Sequence, residues 1–90
     1  MAEKDFSELL YSAVMTLKSE EECKHLFEDL CTPKEIKSIA QRFAVAKMLS
    51  EGKIYNDIVD KTGASTATIS RVNRTMSKGS KTVLERLKNV

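Results

Sequence analysis

Apolar side chains recur in this chain at helical spacing from one end to the other, and nowhere alternate as a half-buried strand requires. That restricts the fold to packed helices. Phe6, Leu9, Leu10, Ala13, Val14 and Leu17 form the stripe of a first helix. Ser19, followed by Glu20, Glu21 and Glu22, caps a second helix carrying Cys23, Leu26, Phe27 and Leu30. Thr32-Pro33-Lys34-Glu35 is a start signal for a third: a capping hydroxyl, proline at the first helical position, and a glutamate placed to close a capping box. Its apolar face is Ile36, Ile39, Ala40, Phe43, Val45, Ala46 and Leu49, and Gly52 is a natural stop. A short fourth helix holds Ile58 and Val59, with Ile54 at its start, and ends near Lys61-Thr62; a fifth holds Ile69 and Val72. Gly79 is expected to break the chain before a last helix with Val83, Leu84 and Leu87. The expectation is an all-α single domain of about six short helices: N-terminal helices in 1–31, a long core helix over 33–51, a helix-turn-helix over 54–78 and a C-terminal helix over 80–90.

Size sharpens this. A chain of 90 residues supports one core, and buries only about 60–65% of its unfolded surface, so dimerisation is a natural way to enlarge that core. With 41% hydrophobic and 31% charged residues, the composition is that of a folding domain. No apolar run approaches the roughly 18 residues of a membrane span, and Met1-Ala2-Glu3-Lys4-Asp5 carries no apolar signal core. A cytoplasmic protein with no membrane partner is expected. Cys23, His25 and Cys31 fall short of a four-ligand zinc site. The two thiols are expected to pack as small hydrophobes beside Leu26, Phe27 and Leu30, with no metal and no cofactor.

The charge is unevenly distributed. Residues 1–60 hold eight basic and twelve acidic side chains, whereas residues 61–90 hold seven basic ones (Lys61, Arg71, Arg74, Lys78, Lys81, Arg86, Lys88) and one acid, Glu85. A solvated helix face mixes both signs; a one-signed stretch points to an anionic partner.

That stretch contains the turn. Gly63 supplies the positive φ that a tight corner between two steeply crossing helices needs, Ala64 allows close approach, and Ser65 caps the next helix. Thr66, Ala67, Thr68 and Ser70 then follow: small groups that let the backbone sink into a major groove, with hydroxyls for base edges or phosphates and methyls for thymine. Arg71 and Arg74 lie one turn apart, with Lys78 expected a further turn on, to neutralise phosphates or reach guanine. Tyr55 and Asn56, opening the preceding helix, are candidates for the DNA backbone.

Leu30-Cys31-Thr32-Pro33-Lys34-Glu35, Arg42, Leu49-Ser50-Glu51-Gly52 and Gly63-Ala64-Ser65-Thr66-Ala67-Thr68-Ile69-Ser70-Arg71, in this order and spacing, resemble the Trp-repressor superfamily and, within it, the Trp-repressor-like YerC/YecD family. The resemblance covers about half the chain. It implies an intertwined homodimer, with the helices of 1–31 as N-terminal dimerisation helices, presenting two reading heads to a palindromic operator with half-sites about 34 Å apart, and gives Thr66, Ala67 and Ser70 the groove-facing role. It also implies an effector pocket at Thr32, Arg42 and Arg71, where the tryptophan-sensing repressor sandwiches its ligand between two arginines. The glycine after the second arginine is Val72 here. An isopropyl group at that wall costs on the order of 1–3 kcal/mol to accommodate, so tryptophan is not expected to be the effector. The expectation is a sequence-specific double-stranded-DNA-binding transcriptional regulator, a repressor, associated with the bacterial nucleoid when bound to DNA.

Other classes fit less well. One histidine, no glycine-rich phosphate loop and no paired carboxylates leave little for an enzyme. A helical interaction module docking an acidic partner is the alternative. Single-stranded RNA fits poorly, because the basic segment after Tyr55 has no aromatic residue for stacking.

Overall fold

The computed structural model describes residues 5–88; residues 1–4 and 89–90, at the ends of the two outer predicted segments, lie outside the described residues. Six helices follow in order: α1 (Phe6–Val14), α2 (Glu20–Leu30), α3 (Pro33–Ser50), α4 (Tyr55–Thr62), α5 (Thr66–Thr75) and α6 (Lys78–Lys88), and no strand is present among the described residues. The chain divides into two compact units, residues 1–36 and 37–90.

In the first unit every helix start is capped as its sequence requires. Asp5 Oδ1 accepts from the Ser7 N–H at 2.9 Å, and Ser19 Oγ from the Glu22 N–H at 3.0 Å. Thr32 and Glu35 close the capping box of α3 reciprocally: the Glu35 N–H donates to Thr32 Oγ1 at 3.2 Å and the Thr32 N–H to Glu35 Oε1 at 2.8 Å. The Thr32 backbone N–H on Oε1, and after it the Thr32 hydroxyl, hold the Glu35 carboxyl below its ordinary value near 4.5. Neither α1 nor α2 contains a buried residue. Cys23, Leu26, Phe27 and Cys31 are half-buried and Leu30 is exposed, so this stripe stops short of the buried packing expected for the two thiols.

The second unit holds the core. Val45 from α3, Ile58 from α4, Ala64 from the turn and Ile69 from α5 form one buried cluster, with Met48, Leu49, Tyr55, Val59 and Val72 packed around it. The α3 helix ends in a left-handed Gly52 (φ +78°), with the Gly52 N–H on the Leu49 carbonyl and the Lys53 N–H on the Met48 carbonyl, both at 3.0 Å.

One predicted boundary moves. Gly79 does not break the chain; it is the second residue of α6, with no positive φ. The break falls at Met76 and Ser77, whose Oγ accepts from the Ser80 N–H at 3.4 Å. A serine able to cap a helix outweighs a glycine that is merely tolerated in an exposed first turn. Lys78 therefore opens α6 and does not extend the row of Arg71 and Arg74 on α5.

Candidate nucleic-acid interface

The corner between α4 and α5 is built from local hydrogen bonds. Gly63 adopts φ +73°, and its N–H donates to the Val59 carbonyl at 2.9 Å. The Thr62 hydroxyl donates to the Ile58 carbonyl at 2.7 Å and accepts from the Ala64 N–H at 3.1 Å. Ser65 caps α5, its Oγ accepting from the Thr68 N–H at 3.1 Å and lying 3.0 Å from Thr68 Oγ1. Ala64 is only 2% exposed: a larger side chain there would drive the two helices apart.

From this corner α5 projects Thr66 and Ala67 into solvent, with Ser70 half-buried. Arg71 and Arg74 are exposed, and neither enters an ion pair among the described residues. Asn56 is exposed at the first turn of α4, a helix whose start at Ile54 has no side-chain cap. The first N–H groups of such a helix are open to an anionic group.

Two candidates have different surroundings from those expected. Tyr55 is half-buried against the core and its hydroxyl accepts from Asn73 Nδ2 at 3.4 Å. Thr68 is half-buried and turned to the α3 side, where it lines a cleft.

That cleft, of about 400 Å³, lies between α3 and α5 and is lined by Ser38, Gln41, Arg42, Thr68, Arg71, Val72 and Thr75. It brings together Arg42, Arg71 and Val72, three of the four residues implied for an effector pocket, with no carboxylate in its wall. Thr32, the fourth, belongs to the first unit and is occupied in the α3 capping box. Val72 packs against the core and also forms part of the cleft wall. Ser38, Gln41 and Thr75 were not singled out from the sequence, although the signal was there. Ser38, Gln41 and Arg42 are spaced i, i+3, i+4 on α3, and Thr68, Arg71, Val72 and Thr75 continue the same spacing on α5. Arg42, Val72 and Thr75 also border an adjoining trough with Ile39, Phe43 and Met76.

Comparison with known proteins agrees with this architecture. The chain is 54% identical over 70 residues to the uncharacterised protein YerC of Bacillus subtilis, covering 78% of this chain and 67% of that one. A crystal structure of a TrpR-like protein from Eubacterium eligens superposes with a TM-score of 0.84 at 54% identity, over 90% of this chain and 87% of the other. A candidate Trp repressor from Staphylococcus aureus superposes with a TM-score of 0.87 at 42% identity, over 96% and 89%. The Trp repressor protein family matches residues 6–90. With that match spanning nearly the whole chain, and a glycine-cornered helix pair at its centre, this protein belongs to the Trp repressor family.

Proposed function

We propose that this protein is a sequence-specific regulator that binds double-stranded DNA, acting in the bacterial cytoplasm as a homodimer on a two-fold-symmetric operator, as a repressor, and independently of tryptophan. The observation that carries the proposal is the exposed first turn of α5. Thr66 and Ala67 stand clear of the protein at a rigid glycine corner, with Arg71 and Arg74 exposed one and two turns behind them. Small side chains there admit the helix to the major groove, and the arginines supply phosphate neutralisation or guanine contacts worth about 1–3 kcal/mol each. Asn56 and the uncapped start of α4 offer further donors to the DNA backbone.

Support for the homodimer comes from the first unit. Phe6, Leu9, Tyr11, Met15 and Leu30 are all more than half exposed. Burying a large apolar side chain is worth about 1.5–3 kcal/mol, so a second copy covering this face gains substantially. Support for tryptophan independence comes from Val72, whose side chain occupies the cleft wall beside Arg42 and Arg71. No catalytic role is proposed.

Selection of bound sequences from a random duplex library tests the proposal. The expected winner is palindromic, with binding that weakens as salt rises by a log–log slope of about −0.9 per phosphate contacted. A basic face that merely docks an acidic protein selects no sequence at fixed salt, and that result would sink the proposal. Isothermal titration with L-tryptophan is expected to show no micromolar binding.

A further inference from the structure

We infer that Gln41 is a positioning residue for the reading helix: from α3, its side-chain amide holds the carbonyl at the helix-turn-helix corner and so sets the angle at which α5 is presented. The inference rests on the DNA-reading role proposed above for α5.

Thr62 is the last residue of α4, and its carbonyl is one of those a helix C-terminus leaves without an intrahelical partner. Gln41 Nε2 donates to it at 3.0 Å in a partly buried bond that spans 21 residues. The other hydrogen bonds of the corner are local, running from Gly63 to Val59, from Thr62 to Ile58 and from Ala64 to Thr62. They shape the corner without fixing it to anything else. A Cβ added at Gly63 would lie 3.9 Å from Gln41 Nε2, so the amide is packed directly against the turn.

The apolar cluster of Val45, Ile58, Ala64 and Ile69 holds α4 and α5 onto α3, but apolar contact is non-directional and tolerates small rotations. A hydrogen bond to a defined carbonyl does not. The second long-range polar tie in this unit, from Asn73 to the Tyr55 hydroxyl, is exposed and longer at 3.4 Å, and it joins α5 to α4, leaving the pair free to move together. Among the hydrogen bonds of the described residues, Gln41 to Thr62 is the side-chain tie that reaches the pair from α3. Base-edge recognition is sensitive to such rotation, whereas phosphate attraction is not. Loss of the clamp therefore blurs sequence preference more than it weakens DNA binding in general.

The test uses the full chain and the duplex selected above. Gln41→Leu keeps the approximate volume and removes the donor. Its affinity for the selected duplex is expected to fall about five- to tenfold, the scale of one lost hydrogen bond. Affinity for a random duplex should stay within about twofold, with an unchanged salt slope, and the Gly63 and Ala64 amides should exchange faster with solvent. In Gln41→Glu the carboxylate cannot donate, but the protonated acid can. Its preference for the selected duplex should recover toward wild type as pH is lowered to about 4, below the ordinary glutamate value. The inference is overturned if Gln41→Leu keeps its preference and its amide protection, if it loses affinity equally on both duplexes, or if the Gln41→Glu defect does not change with pH. Should Gln41→Leu fail to fold, the Gln41→Glu titration decides. If the wild-type protein prefers no duplex at all, the proposed function fails, and amide exchange at Gly63 and Ala64 in the variants still decides whether the clamp exists.

Discussion

The two units of this protein carry similar apolar stripes and bury them to different extents. In residues 5–36, α1 and α2 display Phe6, Leu9, Leu10, Tyr11, Met15 and Leu30 to solvent and bury nothing completely. In residues 37–88, Val45, Ala46, Ile58, Ala64, Ile69 and Leu84 are buried, while Ile39 and Phe43 of the expected α3 face, with Ile54, Val83 and Leu87, stay exposed. The difference is one of partnership, not hydrophobicity. Gly63 folds α4 back against α5, and α3 covers the pair. An amphipathic face does not supply its own cover, and α1 and α2 leave theirs exposed.

Core truncation should expose that difference most strongly. Ile58 is fully buried, so Ile58→Ala is expected to cost about 2–5 kcal/mol in urea unfolding, a large share of the stability of so small a domain. Leu10→Ala, at a position 40% exposed, should cost far less if the single chain is the whole structure. A comparable cost at Leu10 would break the contrast and mean that the first unit is buried by assembly.

Next in size is the double change Phe6→Ser and Leu9→Ser. If a second copy covers these side chains, sedimentation should show the dimer dissociating at least tenfold more readily, and the melting temperature should lose its dependence on protein concentration. An unchanged dimer would place the interface elsewhere.

Two glycines sharpen the comparison within the second unit. Gly63→Ala forces a Cβ onto φ +73° and should destabilise by about 1–2 kcal/mol through backbone strain, since the nearest atom is 3.9 Å away. Gly79→Ala, in the first turn of α6, should stabilise by about 0.4–1 kcal/mol. Thermal melts of the pair check that the corner needs its glycine and α6 does not.

The smallest effect is electrostatic. Because Glu35 is held below its ordinary value near 4.5, its contribution is present above that pH and is lost as the pH falls through the lower folded-state value. Stability should decline more gently below pH 4.5 in Glu35→Gln than in the wild type. An identical acid limb would show that ionisation of Glu35 contributes nothing measurable.

Most of the local architecture was legible in advance. Ser19, Thr32, Glu35, Gly52, Gly63 and Ser65 perform the capping and turning roles their chemistry prescribes, because each depends only on neighbours within a few residues. The apolar inner residues of the helix-turn-helix, Ile58, Val59, Ile69 and Val72, were legible for the same reason. Gly79 misled because two local signals competed within three residues and Ser77 won. The cleft was harder to see. Its residues are ordinary polar positions on two helices, and only the approach of α3 to α5 joins them.

What the amino-acid order determined by itself was therefore the helices, their ends and the glycine corner, all governed by short-range hydrogen bonding and backbone sterics. Tertiary structure alone decided that Thr68 and Tyr55 turn inward while Thr66 and Ala67 stay outside, and that Gln41 meets the Thr62 carbonyl. Those outcomes depend on which helix face meets which, and helical periodicity, being the same on every amphipathic segment, does not encode that choice.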